Sequence, residues 1–357
     1  MYLLISLPVL LITLISIYNF LTICEPKTSS LIAESVSVII PVRNEAPNIH
    51  QLVACLKAQT DLTHVEFIFL DDNSEDETLS LLQQELVGLE NFTVIKGQPL
   101  TTGWIGKTWA LHQLLQASSG EIIVSIDADV RITSDAISRS LTSLKNLGLD
   151  FVSPYPRQLT QSLAERLIQP LLQWSWMATL PLAIAKKTSH PSMAVANGQF
   201  FIVRRNALLL AGGYKSVKSN VLDDMFLARN LIKSGSHGIV LNGASIATCR
   251  MYSSWSQIES GYGKSLNRAF GSIVGSIFAI VFLFITGIAP IVVAFTGASW
   301  GWIAYSLVVV TRMLSALRSK GRIIDSLAHP ISSIVLIYLI VYSWLKRGTI
   351  EWKGRTV

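Results

Sequence analysis

Asp127 and Asp129 flank Ala128 directly after an apolar run, 122–126, that has the composition of a buried strand. In an open α/β sheet, ligands bind at the carboxyl ends of the strands. Two carboxylates at such a position repel each other unless a cation or hydrogen-bond donors compensate their charge. The pair therefore indicates a cation site. A helix cap or a turn is the alternative, since aspartate is common after strands.

Two earlier strands also end among charged residues. The first ends in Pro41 and is followed by Arg43 and Glu45, whereas the second is followed by Asp71 and Asp72. Parallel strands gather their carboxyl ends along one edge of a sheet, so these residues predict a single pocket. So many acids need cations and hydrogen-bond donors to be tolerated. A divalent metal with a diphosphate would supply the missing charge balance.

Strands alternate with helices through this part of the chain. The predicted strands span 35–42, 65–70, 92–95 and 122–126. The predicted helices span 45–58, 75–86 and 107–116. This order predicts parallel βαβ units and an α/β fold with a doubly wound sheet.

The composition indicates a membrane protein with one soluble domain. The chain of 357 residues is 50% hydrophobic and 15% charged, against about 25% charged in ordinary soluble domains. Charged residues are missing from 1–24 and from 269–311, and the second stretch is long enough for two spans of about 20 residues. The predicted parts are an anchor at 1–24, a domain at 35–268, a transmembrane or re-entrant region at 269–345, and a basic tail at 346–357. A cleaved signal peptide at the start is disfavoured, because a basic n-region is missing and the apolar core is long.

Basic residues flank the soluble domain on both sides. Lys27 and Arg43 follow the first span, and Arg250 and Arg268 precede the second. The positive-inside rule therefore places the domain in the cytoplasm of a multi-pass protein of the cell (inner) membrane. The segment 312–322 is also basic and is predicted to be a cytoplasmic loop.

The last apolar run, 326–345, leaves the number of spans open. If it crosses the membrane once, the basic tail lies outside. It could instead form a re-entrant or interfacial hairpin that begins near Pro330. A further alternative is that 269–311 crosses the membrane only once.

The net charge of +6 does not indicate nucleic-acid binding, because no basic stripe carries interleaved aromatic residues. Much of the excess lies beside apolar segments, where it can face anionic lipid headgroups. Cys24, Cys55 and Cys249 are far apart and form no metal-type pair, so we expect reduced, inert thiols.

Taken together, the motifs resemble those of family 2 glycosyltransferases with the GT-A fold. Pro-x-Arg-Asn-Glu follows the first strand, Asp-Asp-x-Ser-x-Asp-x-Thr follows the second, and Asp-x-Asp follows the fourth. A later acidic pair, Asp223-Asp224, precedes apolar residues with helical spacing. The resemblance covers 35–268 and implies a nucleotide-sugar-binding domain.

For the donor, the resemblance implies that Pro41, Arg43 and Glu45 line the nucleotide pocket. Asp72 resembles the residue that accepts a hydrogen bond from uracil or another base, and Asp71 supports it.

For the chemistry, the resemblance implies that Asp129 binds Mg²⁺ or Mn²⁺ bridging the diphosphate, with Asp127 near the ribose and the metal shell. Asp224 resembles the general base, with Asp223 beside it. One base and an in-line attack define an inverting transferase. The alternative for Asp223 and Asp224 is the amino terminus of a helix, and both interpretations can hold together.

Two further segments fit the same interpretation. The loop 103–107 precedes a helix, where backbone amides and Lys107 can meet a phosphate. An ordinary loop with a surface lysine is the alternative. Gly198, within 197–201, resembles the family's acceptor-side strand and permits close approach of the sugar or the acceptor.

The sequence departs from the processive polysaccharide synthases of this family, which carry Gln-x-x-Arg-Trp after the acidic pair. No Arg-Trp occurs in 255–264, so we expect transfer of a single sugar. Segments 250–252, 261–264 and 352–355 resemble membrane-bound enzymes that glycosylate carotenoids or related lipids. For the last segment, a basic tail resting on lipid headgroups is the alternative.

The resemblance thus implies transfer from a nucleotide sugar, such as UDP-glucose, to a hydroxyl of a membrane lipid such as a carotenoid. A polyprenyl-phosphate sugar synthase and a non-catalytic nucleotide-sugar-binding scaffold remain the alternatives. The charge-free segment 167–185 contains prolines and tryptophans. It is interpreted as an interfacial segment that leads the lipid to Asp224, or as a buried core helix of the domain.

Overall fold

The structure is a computed structural model that describes residues 2–188, 190–347, 351–352 and 355–356. The chain divides into two compact units. We call Cys24–Arg157 with Ile184–Cys249 the sheet unit. We call Met1–Ile23, Gln158–Ala183 and Arg250–Val357 the helical unit. The predicted domain 35–268 is therefore not one continuous unit, because 158–183 and 250–268 pack with the helical segments.

The strands, in chain order, are β1 Ile32–Val42, β2 Leu62–Asp71, β3 Phe92–Lys96, β4 Ile122–Ile126, β5 Val130–Ile132, β6 Phe151–Tyr155, β7 Arg157–Gln158, β8 Phe200–Arg204, β9 Gly238–Asn242, β10 Ala247–Cys249, β11 Glu351–Trp352 and β12 Arg355–Thr356. The α-helices are α1 Tyr2–Thr22, α2 Ala46–Lys57, α3 Thr78–Glu85, α4 Gly106–Ala117, α5 Ala136–Asn146, α6 Leu163–Thr179, α7 Leu182–Thr188, α8 Arg205–Leu210, α9 Asp223–Lys233, α10 Trp255–Ala269, α11 Ile273–Leu283, α12 Ala289–Phe295, α13 Ser299–Arg318 and α14 His329–Leu345. Shorter helical pieces are the 3₁₀ helices Pro191–Met193, Gly213–Val217 and Ile323–Ala328 and the π-helix Phe284–Ile288.

Within the described residues, the sheet unit contains a seven-stranded sheet of order β3-β2-β1-β4-β8-β6-β9. β1 to β4 run parallel, as predicted, while β8 runs antiparallel to β4 and β6. Val42 pairs with Asp71, and Asp71 pairs with Lys96. This register brings the carboxyl ends of β1, β2 and β3 to the same edge, so the predicted α/β architecture is confirmed.

The core of the sheet unit follows from the strand sequences. All five side chains of β4 are buried, as expected for a strand covered on both faces. Ile39, Ile123, Leu111 and Leu227 belong to one apolar cluster, which joins β1 and β4 to α4 and α9. The helices that carry site residues are therefore fixed to the strands that carry the others.

The helical unit has its own apolar core. Ile12 of α1, Trp174 of α6, Val308 of α13 and Leu339 of α14 are buried in one cluster. Asn19 fixes the end of α6, because its Nδ2 donates to Met177 O at 2.8 Å. The segment 167–185 thus contains most of α6 and the start of α7, and α6 is a core helix of this unit. The prediction that this segment is a core helix of the soluble domain was wrong, because the apolar side chains of α6 pack with those of α1, α13 and α14 in the helical unit.

Four described helical segments are long and apolar enough to cross a membrane: Tyr2–Thr22, Ile273–Phe295, Ser299–Arg318 and Ile323–Leu345. The apolar stretch 269–311 accordingly supplies two candidate spans. The last run forms the single helix α14, with Pro330 in its first turn, where proline is tolerated. The alternative of a hairpin within 326–345 is therefore wrong.

The predicted basic loop 312–322 is shorter than expected. Helix α13 continues to Arg318, and only 319–322 separate it from the next helical turn. Arg312 and Ser315 are buried, because this part of α13 still faces the helical core. The basic tail prediction includes Lys353 and Gly354, which lie outside the described residues.

Candidate active site

The loops after β1 and β2 hold each other through Arg43. Its Nη1 donates to Asp72 O at 2.6 Å and to Asn73 O at 3.0 Å. Its Nη2 lies 3.4 Å from Glu75 Oε1. The guanidinium thus supplies hydrogen-bond donors to two backbone carbonyls in the loop after β2. In this structure the predicted nucleotide-pocket residue Arg43 positions the loop that carries Asp72.

Two asparagines shape the same loops. Asn44 and Asn73 adopt left-handed backbone conformations, with φ of 51° and 55°. Asparagine tolerates this conformation better than most residues. Asn44 also accepts a hydrogen bond from Glu75 N at 2.8 Å through its Oδ1. The resulting turns hold the strand ends in fixed positions beside one another.

Asp71 and Asp72 are both buried, with 1% and 4% exposure. The Asp71 carboxylate accepts from Ser74 N at 3.3 Å, and Asp72 N donates to Val42 O at 2.8 Å. Asp71 therefore stabilises the turn after β2. Pro41 lies one residue before Val42 and pairs with Leu70 in the ladder.

Lys107 lies among carboxylates from two parts of the sheet unit, the end of β4 and the start of α9. It is in the first turn of α4, and its Nζ is 2.7 Å from Asp127 Oδ1 at the end of β4. Burial lowers the pKa of Lys107, but Asp127, Asp223 and Asp224 together raise that pKa well above its ordinary value. The lysine, whose side chain is 33% exposed, is therefore a cation within this cluster of carboxylates.

Asp224 occupies the first turn of α9, as the sequence predicted. Its Oδ2 accepts from Gly198 N at 2.7 Å, and its Oδ1 accepts from Met225 N at 2.7 Å. A Cβ at position 198 would lie 3.2 Å from Lys107 Nζ, so glycine permits the close approach of Lys107 and Asp224. The two backbone donors fix the orientation of the carboxylate.

Burial raises the pKa of Asp224, although Lys107 and the two backbone donors oppose the increase. Burial also raises the pKa of Asp223 to about 7, with a smaller contribution from Asp224 and Asp127 and with Lys107 acting in the opposite direction. A carboxyl group whose pKa lies near neutrality can accept and release a proton under working conditions.

Asp129 is the second acid of the Asp-x-Asp motif. Burial, Asp127 and Glu45 raise the pKa of Asp129 to about 6, while a hydrogen bond from Cys249 lowers it. Glu45 therefore connects the residues after β1 with the cluster after β4. Its own carboxylate accepts from Asn48 Nδ2 at 2.7 Å.

Three residues near the cluster were not predicted. Burial raises the pKa of the Cys249 thiol, which hydrogen bonds to Asp129. Tyr155 and Tyr214 are buried, and burial raises the pKa of each phenol, with further contributions from Cys249 and Asp224 for Tyr155 and from Asp223 for Tyr214. The pairing of Cys249 with Val130 across β10 and β5 brings the thiol to Asp129. Only that strand pairing could have revealed Cys249, whereas the only sequence feature beside Tyr214 is the glycine pair at 212–213.

The donor set fits a hard divalent cation. Carboxylate oxygens of Asp127 and Asp129 are the ligand type that Mg²⁺ and Mn²⁺ prefer. Burial and the charges of Asp127 and Glu45 raise the pKa of Asp129, so a cation bound beside it would stabilise its ionised form. No group of three or more His, Cys, Asp or Glu side chains that could hold a metal occurs among the described residues. The protein would thus supply few ligands, and a diphosphate or water would supply the others.

The predicted site residues form two groups on one sheet edge. Those after β1 and β2 are Pro41, Arg43, Glu45, Asp71 and Asp72. Those around Lys107 are Lys107, Asp127, Asp129, Gly198, Asp223 and Asp224. All belong to the sheet unit. Their individual roles in binding and catalysis stay predictions.

Comparison with known proteins identifies the class. Residues 37–209 match the family described as glycosyl transferase family 2. The chain carries a family 2 glycosyltransferase domain, and the protein is a glycosyltransferase.

Particular relatives extend the similarity beyond this domain. The 4,4'-diaponeurosporenoate glycosyltransferase of Staphylococcus aureus (strain USA300) is 24% identical over 352 residues, which cover 93% of this chain and 90% of the relative. The enzyme of the same name from Staphylococcus haemolyticus (strain JCSC1435) is 24% identical over 277 residues, covering 76% and 72%.

A solved structure shares the fold. The mannosyltransferase PcManGT from Pyrobaculum calidifontis, in complex with GDP-Man and Mn²⁺, matches with a TM-score of 0.59 and 16% identity. The match covers 97% of this chain and 95% of that chain. The protein therefore has a GT-A fold combined with apolar terminal helices.

Proposed function

We propose that the protein is an inverting, metal-dependent transferase that moves a single sugar from a nucleotide sugar, such as UDP-glucose, to an oxygen of a membrane lipid of the carotenoid class. The carrying observation is the convergence of Asp127, Asp223 and Asp224 on Lys107 at the carboxyl edge of the sheet. Similarity to enzymes named for 4,4'-diaponeurosporenoate supports the class of acceptor.

On the donor side, the loop held by Arg43 presents Asp72 to the base, while Pro41 and Glu45 line the pocket. Asp129, with Asp127 beside it, would hold Mg²⁺ or Mn²⁺. When bound, such a cation neutralises charge on the leaving diphosphate. Lys107 is the protein's own cation at this point and adds electrostatic stabilisation of the leaving group.

On the acceptor side, Asp224 is the proposed general base. The acceptor oxygen attacks the anomeric carbon, the bond from that carbon to the diphosphate oxygen breaks, and the nucleoside diphosphate leaves. The hydroxyl proton passes to Asp224, whose orientation is fixed by Gly198 N and Met225 N. The raised pKa of Asp224 makes it a stronger base than an ordinary aspartate.

The attacking oxygen has two candidate forms. A hydroxyl requires removal of a proton, and the buried, oriented Asp224 favours it. The name 4,4'-diaponeurosporenoate denotes a carboxylate, and this favours an acceptor that is already ionised and gives a glycosyl ester. Both forms fit an apolar acceptor delivered from a membrane.

We also propose that the protein resides in the cell membrane as a multi-pass protein, with the sheet unit in the cytoplasm. The four candidate spans and the basic residues that flank the sheet unit support this placement. A nucleotide sugar would then meet the site from the cytoplasm and the lipid would reach it from the bilayer.

The test uses the full-length protein in detergent with Mg²⁺ or Mn²⁺, a panel of UDP- and GDP-sugars, and total lipid extract from the host. Release of nucleoside diphosphate and lipid mass are followed together. We expect one lipid to gain one hexose, with activity lost in Asp129→Ala. Asp61→Asn, an exposed aspartate of the same unit, is the matched control and should stay active. If no nucleotide sugar gives nucleoside diphosphate although nucleotide binding is measurable, the result would favour the non-catalytic scaffold instead.

The product linkage distinguishes the acceptors. Mild alkali releases the sugar from an ester but leaves a glycoside intact. With a hydroxyl acceptor, Asp224→Asn should lower kcat by roughly 10² or more, because general base catalysis is lost. With a carboxylate or polyprenyl-phosphate acceptor, much of the activity should survive this substitution. A phosphodiester-linked product would identify the polyprenyl-phosphate sugar synthase.

A further inference from the structure

Arg312 is a buried cation in a candidate membrane span. It lies in α13, is 3% exposed, and its Nη1 has no hydrogen-bond partner among the described residues. An arginine side chain carries five N–H donors and always retains its charge, so burying it without partners is costly. This arrangement calls for an acceptor at that position.

A polar pocket of the helical unit contains this guanidinium. Its lining includes Gln169, Gln173, Arg312, Ser315, Arg322 and Asp325. These residues come from α6, the later part of α13 and the following 3₁₀ helix, all within one compact unit. The pocket is thus built from elements that are packed together through an apolar core.

The charges around the pocket do not balance. Arg166 binds Asp325 with two nitrogens, its Nε donating to Oδ1 at 3.0 Å and its Nη2 lying 2.5 Å from the same oxygen. Arg322 lies 3.9 Å from the other oxygen of this carboxylate. One aspartate therefore faces three arginines, and its oxygens are already engaged by Arg166. The excess of positive charge predicts an anion.

Apolar side chains lie beside the pocket in the chain. Ile323, Ile324 and Leu327 surround Asp325 in sequence and are 40%, 60% and 53% exposed. The helical unit contains the four candidate membrane spans, so exposed aliphatic residues in this unit are suited to contact with lipid. An anion that carries an apolar chain therefore fits this region better than a free inorganic ion does.

We propose that the pocket around Arg312 binds the oxyanion head of an amphiphile, a phosphate or a carboxylate attached to an acyl or polyene chain. Arg312 donates charge-assisted hydrogen bonds to the oxyanion, and the apolar chain lies against the exposed residues of the 3₁₀ helix. This site is separate in its residues from the sugar-transfer site, so it can fail or succeed independently of the proposed function.

The experiment compares full-length protein, delipidated in an uncharged detergent, with phosphatidylglycerol, phosphatidylcholine and inorganic phosphate. Bound lipid is counted by native mass spectrometry, and the thermal unfolding midpoint is recorded. We expect phosphatidylglycerol to remain bound and to raise the midpoint, whereas phosphatidylcholine does neither. Arg312→Gln should weaken phosphatidylglycerol binding by roughly tenfold or more.

Lys145→Gln is the control, because Lys145 is an exposed cation of the sheet unit, outside the candidate spans, and its replacement should leave lipid binding unchanged. Arg312→Lys keeps the charge and should retain part of the binding, which separates loss of charge from misfolding. Equal responses of the wild-type protein and Arg312→Gln would overturn the proposal. An equal effect of inorganic phosphate alone would overturn the amphiphile and leave only an oxyanion site.

Discussion

The backbone N–H of Gly198 donates a 2.7 Å hydrogen bond to Oδ2 of Asp224. This contact joins the residue two positions before β8 to the first turn of α9. It holds the proposed base in one orientation, and the missing side chain at Gly198 leaves room for Lys107 Nζ. The orientation of Asp224 and the position of the Lys107 charge therefore both depend on Gly198.

Replacing Gly198 with alanine tests this dependence. The new Cβ would lie 3.2 Å from Lys107 Nζ and 3.4 Å from Asp224 Cβ. The end of the lysine can move, so the fold should survive with a change in Tm of only a few degrees. Displacement of Lys107 from Asp127 should lower kcat/KM by roughly tenfold.

Gly120→Ala is the contrasting variant for this experiment. A Cβ there would lie 2.6 Å from the backbone N of Ser37, which cannot move independently of β1. Its activity should fall only as far as its folded fraction falls. An unaltered kcat/KM in Gly198→Ala would contradict the proposed role of the glycine.

Replacing Lys107 with glutamine removes the cation that Asp127, Asp223 and Asp224 share. The three acids should then repel one another, lowering the stability of the metal-free protein by about 1–2 kcal/mol at neutral pH, allowing for partial exposure of the lysine. The pKa of Asp223 already lies at about 7, so protonation below neutrality relieves the repulsion. The deficit should therefore shrink between pH 7 and pH 5.

The measurement is the unfolding midpoint of Lys107→Gln and of wild-type protein at both pH values. Lys145→Gln, an exposed lysine in the last turn of α5, is the control. A deficit that grows on acidification would have the wrong sign for charge repulsion.

Glu165→Gln should show a loss of stability that also shrinks on acidification, but at a lower pH than that of Lys107→Gln. Burial raises the pKa of Glu165, but hydrogen bonds from Arg250 and Ser162 outweigh it and bring the pKa to about 2, from an ordinary value of 4.5. A lowered folded-state pKa contributes stability that is present above pH 4.5 and is lost as the pH falls toward 2. The shift corresponds to about 3 kcal/mol at neutral pH.

The stability difference between Glu165→Gln and wild-type protein should therefore fall by about half between pH 7 and pH 3. The exposed Glu90 supplies the control variant Glu90→Gln, for which we expect little change. A difference that is constant over this range would show that the pair with Arg250 does not stabilise the fold.

The cysteines should differ in their reaction with iodoacetamide. Cys24 and Cys55 are partly exposed, whereas Cys249 is 1% exposed and burial raises the pKa of its thiol. The thiolate is the reactive form, so Cys249 should be labelled only after unfolding. Peptide mass spectrometry before and after denaturation provides the measurement. Rapid labelling of Cys249 in native protein would refute the contact described for it with Asp129.

Much of the sheet unit could be predicted, because its strands are continuous apolar runs that end in polar residues. β4 ends before Asp127, as the sequence predicted, and Asp223 and Asp224 begin a helix. The pairing of Lys107 with Asp127 could not be read from the sequence with certainty, because a lysine after a glycine loop is equally typical of a surface. Contact between Cys249 and Asp129 depends on strand pairing between distant segments.

The helical unit was harder to predict for a physical reason. Basic residues after 311 suggested a loop, but a buried Arg312 continues α13 because its neighbours on the helix face the core. Prolines and tryptophans in α6 suggested an interfacial segment. Pro170 lies inside the helix nonetheless, and Trp174 packs in the apolar core.

The interleaving of the two units has a consequence for biogenesis. Helix α6 leaves the ribosome well before α10, α13 and α14, which provide its apolar partners in the finished core. The sheet unit is complete once Cys249 has been synthesised, so it can fold before the helices that bury Leu171 and Trp174 have been synthesised. A fragment that stops at Cys249 would keep every sheet strand from β1 to β10 and would retain α1 beside α6, but the part of α6 that packs with α10, α13 and α14 would be exposed, which makes such a fragment prone to aggregation.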